Sequence, residues 1–508
     1  MTQVHTSLEA LPVAPVQQRE QSFRGLGSLF NRWHPARPWQ TNAALLLIGA
    51  GLLLLSHQLV SEYDRFTMGF SGVSGWSAWL YIAAVFLILT QPTNRYTFPI
   101  ILTVAIACRL IPLFAEPYLS SDIYRYVWDG IVQHAHISPY RYVPGNPVLT
   151  FLREPNQDIF DNINRRDYAH TIYPPVAQAL FYCITFFSPT VIAMKTAMVA
   201  FEGLTLFALV KILRHLGRRP EQALLYAWCP LLFWEVAGAG HLDAAAMAFI
   251  TLALLFRIRR RPVLTGLFLG LAVMTKLYPI VLLPALMMST NPCAPRPDLK
   301  MWASTALNPK NWDWKLPATT FAVIALGYAA YSSVGLLVFG FLGGYVKEEG
   351  IATGTRYFFL DLAQHIPGLH TLPILSFYLL CALTFAVLTV WALAIAMKQG
   401  SSASFLTPAF ALAAALMFLF SPHYPWYILW LIPFFALQPN LPILTYLMTA
   451  FYLFTTPLAD GTLERAFQLN AILYGAVAAA VLIQFALRNR TIPGLNFQQA
   501  LLANQRSS

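Results

Sequence analysis

The sequence predicts an all-α polytopic membrane protein, a bundle of about 12 to 14 transmembrane helices. Of its 508 residues, 57% are hydrophobic and only 11% are charged, and the mean hydropathy is +0.55. A soluble core of this length could not bury so much apolar surface. The formal net charge of +11 comes from Lys and Arg in short loops and termini. That placement follows the positive-inside rule and argues against nucleic acid as a partner.

The cysteine and glycine patterns predict no resident cofactor. The five cysteines are scattered and lack the CxxC or Cys/His spacing of a disulfide framework or a structural zinc site. Neither a GxGxxG fingerprint after a strand nor a P-loop occurs. The sequence therefore predicts no metal site, although it leaves a need for a divalent cation open.

The chain begins with a segment that lacks hydrophobic periodicity. Residues 1–40 are rich in Gln, Pro, Ser and Arg, and we predict a disordered cytosolic tail. The first apolar stretch, 42–60, is too far from the start for a signal peptide, and the arginines before it keep the N-terminus inside. Residues 41–490 are predicted to form one transmembrane domain, with a second cytosolic tail at 491–508.

Two further spans bring the chain to the outer side. Spans at 76–90 and 97–115 make the loop at 116–172 extracytoplasmic. The next apolar run, 173–187, has about 15 residues where a span needs roughly 20. If it crossed, the basic residues at 211–219 would lie outside, against the positive-inside rule. We therefore predict that 173–187 is an interfacial helix.

The remaining apolar runs predict the rest of the bundle. After a span at 195–213, spans are expected near 221–236, 242–256, 262–275, 280–288, 317–341, 372–397, 405–420, 426–436, 441–458 and 469–487. The pair at 262–288 could instead be one helix kinked at Pro279. No internal repeat of the kind found in transporters is visible.

The first outer loop opens with two acidic residues at helical spacing. Asp122 and Asp129 are seven positions apart, about two turns, so a helix would project both carboxylates from one face. Arg125 and Tyr126 fill the turns between them. Arg141 follows later in the loop. This combination of acid, cation and hydroxyl can hold a phosphate or a sugar.

Other polar side chains gather on the same predicted side of the membrane. They lie at outer helix ends or, for Arg356, in a second outer loop at about 342–371. The set is His241, Asp243, Lys276, Tyr278, Arg356, His423 and Trp426. Phosphates bind Arg, Lys or His, whereas sugar faces stack on Trp and Tyr. An anionic head group attached to a lipid would suit this set.

Each of these residues also has a simpler interpretation. Trp426 could belong to an interfacial aromatic belt. Lys276 could extend its amine to the lipid head groups. Asp243 and Asp122 could act as helix caps. Glu202, an acid inside a predicted span, could serve packing or function.

The motifs resemble those of a known superfamily. Ser121-Asp122-Ile123-Tyr124-Arg125-Tyr126 with Asp129-Gly130, then Ser138-Pro139-Tyr140-Arg141-Tyr142 and Tyr173-Pro174-Pro175, resemble bacterial GT-C glycosyltransferases. The resemblance is to polyprenyl-phosphate-mannose-dependent mannosyltransferases and the PIG-M-like group. The segments around His241, Lys276 and His423 are similar too, so the resemblance extends from about residue 97 to 437.

The resemblance implies roles for individual residues. Asp122 would be the base that activates the acceptor, and Asp129 a helper. The substrate-binding residues would be Arg125, Tyr126, Arg141, Tyr142, Tyr173, His241, Asp243, Lys276, Tyr278, Arg356, His423 and Trp426. Two spans precede the acidic loop beyond the simplest family pattern, and a tight Asp-X-Asp is absent, which leaves metal dependence open.

The resemblance also implies substrates and a location. The donor would be a polyprenyl-phosphate sugar, with mannose preferred, and the acceptor a lipid or glycan hydroxyl. The enzyme would be an integral protein of the plasma (inner) membrane, in contact with membrane lipids, with its active site outside the cytosol. Two alternatives remain open: a transporter or flippase of lipid-linked sugars, and an oligosaccharide ligase.

Overall fold

The computed structural model describes most of the chain between residues 37 and 487. The described residues are 37–61, 68–117, 119–287, 308, 310, 312–351, 353–354, 357–399, 403–455 and 463–487. Within them the protein is helical and has no β-strand, so the predicted all-α membrane class is confirmed. The predicted tails fall almost entirely outside the described residues, although the first helix begins at Pro38, inside the segment predicted as tail.

The α-helices of seven or more residues are numbered here in chain order. They are α1 Pro38–Ser61, α2 Met68–Thr90, α3 Thr97–Leu113, α4 Asp122–His134, α5 Pro175–Phe187, α6 Val191–His215, α7 Asp243–Ile258, α8 Pro262–Thr275, α9 Lys315–Ala330, α10 Leu342–Glu348, α11 Phe358–Gln364, α12 Ile374–Gln399, α13 Leu406–Phe420, α14 Leu431–Leu437, α15 Leu441–Thr449 and α16 Leu463–Leu487. Shorter helical pieces connect several of them.

Four helical segments are long and apolar enough to cross a membrane unaided. They are Pro38–Gln58, Val191–His215, Ile374–Leu393 and Phe467–Leu487, and each coincides with a predicted span. A fifth crossing results if α9 and the following piece Ser332–Glu348, which meet at 111°, count as one span. Most of the remaining predicted spans correspond to shorter apolar helices, including α3, α8 and α13.

Several predicted spans are not single helices, and the expectation of continuous helices there was wrong. The span at 221–236 consists of short pieces: a 3₁₀ turn, two short α-helices and a π-helix at Phe233–Gly238. Cys229 is extended because the following Pro230 disfavours a helical residue before it. The span at 317–341 ends at Ala330, and Gly335 and Gly340 beyond it adopt positive φ.

Prolines also interrupt the predicted spans near the end of the chain and at 262–288. A 3₁₀ turn from Pro425 precedes α14, and α15 passes into a 3₁₀ turn at Ala450–Thr455. At 262–288, α8 ends at Thr275 and Lys276 is extended, with a 3₁₀ turn and a four-residue helix following. The predicted split of this pair is therefore confirmed.

The core lies around α7, which is buried on nearly all sides by α6 and α8. A buried ion pair joins two neighbouring helices: Arg109 of α3 donates from Nε and Nη2 to Glu202 of α6 at 3.0 and 2.9 Å. Arg109 also donates to the carbonyl of Ala227 at 2.8 Å and lies over the Phe233 ring. Glu202 therefore has a structural partner, and the pair supports the irregular segment that follows Pro220.

The loop after α3 starts from an anchored helix end. Lys195 of α6 is buried, and its Nζ donates to the carbonyls of Pro112 at 2.8 Å and Ala115 at 2.6 Å. A cation at a helix C-terminus satisfies carbonyls that lack a partner within the helix. The loop itself is folded, because its helix α4 packs on α5. α5 has 13 residues, so it is short, as expected for the interfacial helix predicted at 173–187.

Candidate functional site

Asp122 lies at the start of α4 with one carboxylate oxygen open. It is half-buried, and Asn164 donates to its Oδ1 at 2.9 Å. In the part of the chain that the structure describes, Oδ2 receives no hydrogen bond. The N-cap is Ser121, whose side chain makes no capping hydrogen bond, and the Asp122 amide donates to Ser120 Oγ at 3.2 Å. The capping interpretation of Asp122 therefore finds no support, and a lone pair is left for a proton.

A glutamate and a histidine form a buried pair beside this helix start. His241 Nδ1 lies 2.9 Å from Glu235 Oε2, and both side chains are at most 1% exposed. Gly240 between them has φ +74°, and a Cβ there would lie 2.3 Å from Ile123 Cδ1. The positive φ favours glycine at this position, and Gly240 packs against Ile123, the residue next to Asp122.

The surrounding carboxylates determine the charge of His241. Burial by itself would lower the pKa of the imidazole, but Glu235, and then Asp122 and Asp243, raise the pKa above its ordinary value. These carboxylates therefore favour the protonated form of His241. Its second nitrogen, Nε2, is buried and has no hydrogen-bond partner among the described residues.

Asp243, Lys276 and Tyr278 form a second polar group. Lys276 Nζ lies 3.1 Å from Asp243 Oδ2, and the Tyr278 hydroxyl donates to Oδ1 at 3.1 Å. The Lys276 side chain is only 14% exposed and its amine lies 5.5 Å from the centre of the Tyr427 ring. The snorkelling interpretation is therefore not supported. Asp243 is the first residue of α7 and makes no capping hydrogen bond.

The segment after α13 adds aromatic rings. Trp426 stacks on His241 with ring centres 4.4 Å apart and on Tyr424 at 4.2 Å. His423 Nδ1 lies 3.4 Å from Glu349 Oε2, so the second loop reaches the same place. Contact with His241 makes Trp426 part of the interior cluster and not of an outer aromatic belt.

Two tyrosines complete the wall next to Asp122. Tyr126 and Tyr173 are both buried and meet edge to face at 4.9 Å. Burial, and then the charge of Asp122, raise the pKa of each phenol. The Tyr126 hydroxyl has no hydrogen-bond partner among the described residues. Both predicted residues therefore border the site.

The structure places Asp129 and Arg125 in a different, closed cluster. Arg125 Nε donates to Asp129 Oδ1 at 2.8 Å, and Oδ2 accepts from Thr171 at 2.5 Å and Gln178 at 2.8 Å. Both charged side chains are buried, and Arg125 also donates to the Ala169 carbonyl at 3.1 Å. These contacts favour a structural role over the helper and phosphate-binding roles predicted for the two residues.

Thr171 connects this closed cluster to the second loop. Its hydroxyl donates to Asp129, and its carbonyl accepts from the Phe341 amide at 3.3 Å. A Cβ on Gly340 would lie 1.7 Å from the same carbonyl. The second loop also pairs with the first through Arg165 and Glu348 at 2.7 Å. The two outer loops are therefore joined directly.

Two other predicted residues, Arg141 and Tyr142, do not join the cluster of Asp122 and His241. Arg141 is exposed in a turn. Tyr142 packs on a small core around Trp128, and Arg356 lies outside the described residues. Across the described ranges, no group of three or more His, Cys, Asp or Glu side chains is arranged to hold a metal ion.

Sequence reasoning missed several residues of the site. Glu235 was hidden within a run predicted as a continuous span, although a single carboxylate in such a run is a signal for function. Asn164 lies in a loop where no local pattern marks it. Tyr345, whose hydroxyl contacts that of Tyr427, was hidden among many other aromatics.

Two family models match this chain. Residues 16–291, more than half of the chain, match the model described as Alpha-(1->6)-mannopyranosyltransferase, N-terminal domain. Residues 171–422 match Glycosyltransferase family 87. No curated protein and no solved structure matches. The first match contains Asp122, Glu235, His241, Asp243 and Lys276, so the geometric cluster lies largely within the matched region.

Proposed function

Because the chain belongs to the alpha-(1->6)-mannopyranosyltransferase family and is a membrane mannosyltransferase, we propose that it takes mannose from a polyprenyl-phosphate donor. The acceptor is a hydroxyl group of a lipid or glycan, and the reaction takes place on the extracytoplasmic face. The observation that carries this proposal is the position of Asp122. Its open oxygen lies beside a cluster of cations and aromatic rings contributed by several separate segments.

Asp122 is the proposed general base. The acceptor oxygen attacks the anomeric carbon while Asp122 removes the hydroxyl proton, the bond between that carbon and the donor phosphate breaks, and the configuration inverts. A carboxylate that already accepted hydrogen bonds on both oxygens would be a poor base. Asp122 accepts from Asn164 on one oxygen only, which holds the carboxylate while leaving the second oxygen available.

Lys276 and Trp426 are the proposed contacts for the donor. Negative charge builds up on the departing phosphate, and a preorganised cation stabilises it. Lys276 pairs with Asp243, whose carboxylate also accepts from the Tyr278 hydroxyl, so the partner that positions Lys276 is itself held before the donor binds. Trp426 is partly exposed and stacks on His241, so it can contact the sugar beside that ring. The isoprenoid chain of the donor lies among apolar helices, in the membrane.

The donor is tested by direct transfer. Purified full-length protein is incubated with membrane extract and radiolabelled polyprenyl-phosphate mannose, polyprenyl-phosphate glucose or a nucleotide sugar. We expect label in the acceptor fraction from polyprenyl-phosphate mannose. Transfer from the nucleotide sugar alone would overturn the donor assignment. Movement of lipid-linked label across vesicles without transfer would instead identify a flippase.

The side of the membrane is tested by labelling single cysteines in a background without the five native cysteines. Asp158→Cys lies in the first outer loop and Arg259→Cys lies between α7 and α8, and both positions are exposed. We expect a membrane-impermeant thiol reagent to label the first in intact cells and the second only after lysis, because the basic residues at 257–261 belong inside. The reverse pattern would place the site in the cytosol, where a nucleotide sugar is available.

A further inference from the structure

We propose that Glu235 and His241 act as a dyad: Glu235 holds His241 as an imidazolium, and its Nε2–H donates to the leaving phosphate oxygen of the donor. This inference rests on the proposed function and adds a second group that acts on the reacting atoms. Glu235 is the positioning residue, because it acts through His241. No motif identified in the sequence pointed to Glu235.

The geometry of the pair resembles that of other carboxylate–imidazole pairs that set a histidine tautomer. Nδ1 of His241 faces two acceptors of the same residue, Oε2 of Glu235 at 2.9 Å and its carbonyl at 3.0 Å. The carbonyl accepts a hydrogen bond from Nδ1, which requires a proton there, and Oε2 lies at ion-pair distance from the same nitrogen. A protonated Nε2 is then directed away from Glu235.

The free end of the imidazole indicates a missing ligand. Nε2 of His241 is buried and has no hydrogen-bond partner among the described residues. A buried polar atom normally has a partner, and one without a partner at a functional site calls for an explanation. The ring stacks on Trp426 with centres 4.4 Å apart, and a flip of the ring about its Cβ–Cγ bond would take Nδ1 away from Glu235.

The backbone around the dyad is irregular in a way that serves the pair. Glu235 lies in a π-helix, a rare element that often occurs at functional sites. The amide of His241 donates to the Glu235 carbonyl at 2.9 Å, and Gly240 supplies the positive φ that closes this turn. The fold therefore brings a residue six positions away into contact, which a regular α-helix would not do.

The charges around His241 favour its cationic form. The carboxylates of Glu235, Asp122 and Asp243 all act on it. Positive charges nearby are already engaged: Lys276 pairs with Asp243, and Lys195 is bound to two carbonyls. Further out, Arg109 pairs with Glu202 and His423 with Glu349.

The electron and proton balance of the step is simple. The acceptor O–H bond breaks and its proton goes to Asp122, while the acceptor oxygen forms a bond to the anomeric carbon. The bond from that carbon to the phosphate oxygen breaks, and its electron pair stays on the phosphate. His241 donates a hydrogen bond to this oxygen, and no oxidant or other co-reactant is needed.

The test is the pH dependence of mannosyl transfer by the purified full-length protein. In the wild type, transfer should fall at high pH as His241 loses its proton. Glu235→Gln removes the main group that raises the pKa of His241, so the alkaline limb should move to lower pH by at least about one unit. Glu235→Asp keeps the charge and should leave the limb near its wild-type position. His241→Gln should remove the limb.

Glu202→Gln is the matched control. It neutralises an equally buried carboxylate whose partner is Arg109 and not a histidine. Whatever it does to the rate, it should not move the alkaline limb. The dyad proposal would be wrong if the alkaline limb of the pH–rate profile stayed in place in Glu235→Gln, or if this variant lost the same fraction of its rate at every pH. If Glu235→Gln does not fold, His241→Gln gives the test: a pH–rate profile that still falls at high pH in this variant would contradict the dyad proposal.

Failure of the proposed function gives a different result. In that case the wild type itself transfers no label from polyprenyl-phosphate mannose. If a nucleotide sugar is the donor instead, the same pH comparison with that donor still tests the dyad, because its leaving group is also a phosphate.

Discussion

Asp122 and Asp129 belong to the same helix and are separated by two turns, yet their surroundings are opposite. Asp122 accepts one hydrogen bond from Asn164 and is half-buried. Asp129 is 1% exposed and accepts from Arg125, Thr171 and Gln178. A carboxylate with every acceptor site engaged stabilises structure, whereas one with an open oxygen can take a proton.

The comparison teaches that the same residue type at the same helical face can have two functions. Two of the three partners of Asp129 lie 42 and 49 residues further along the chain. They come from the segment before α5 and from α5 itself, which packs on α4. The start of α4 instead meets Gly240 and His241, so it remains next to the candidate site.

Asp122→Asn is expected to have the largest effect on activity. An amide cannot serve as the base, so transfer should fall by at least about a hundredfold. The free energy of unfolding should change by no more than about 0.5 kcal/mol, since the residue is only half-buried and Asn can still accept from Asn164. Initial rates and denaturation in detergent micelles measure the two quantities.

Asp158→Asn is the control for this change. Asp158 is an exposed aspartate of the same loop, and the identical chemical change there should leave the rate at the wild-type level. Near-normal turnover in Asp122→Asn would exclude Asp122 as the base. Asp122 and Asp129 would then no longer differ in function.

Asp129→Ala is expected to act on stability. Removing one partner of a buried ion pair leaves Arg125 uncompensated, which costs about 3–5 kcal/mol in the free energy of unfolding. The rate per folded molecule should be affected far less than in Asp122→Asn. Denaturation measures the first quantity, and active-site-normalised rates measure the second. Asp158→Ala should change stability by less than about 0.5 kcal/mol.

The opposite outcome would reverse the comparison. If Asp129→Ala folded as well as the wild type but lost transfer as severely as Asp122→Asn, Asp129 would be a catalytic group. A double-mutant cycle with Arg125→Ala would then show little coupling in stability.

Lys276 gives the smallest of the three expected effects. Lys276→Ala should raise the donor concentration needed for half-maximal rate by about tenfold, since one charge-assisted contact to phosphate is lost. Lys276→Arg keeps the charge while the geometry changes, and should retain part of the affinity. Donor titrations measure both.

Lys347→Ala, which removes an exposed lysine of α10, is the control for the donor titration. Its donor dependence should match the wild type. An unchanged apparent affinity in Lys276→Ala would limit Lys276 to its pairing with Asp243, and would leave His241 as the remaining cation for the donor phosphate.

Local patterns predicted the start of α4, the long apolar helices and a break within 262–288, because these depend on neighbouring residues. They could not predict Thr171 and Gln178 as partners of Asp129, since both are distant in the sequence. They also missed the 111° bend after Ala330, where no proline marks the break. Glu235 was missed because a π-helix between apolar residues has the same composition as a membrane span.

Thr171 links the closed cluster around Asp129 to the second loop, and through that loop to the candidate site. One residue serves Asp129 with its hydroxyl and the second loop with its carbonyl, at a point where Gly340 leaves no room for a side chain. A substitution that disturbs one of the two loops would therefore also disturb the other. Natural variants at 129, 171 and 340 should therefore change as a set.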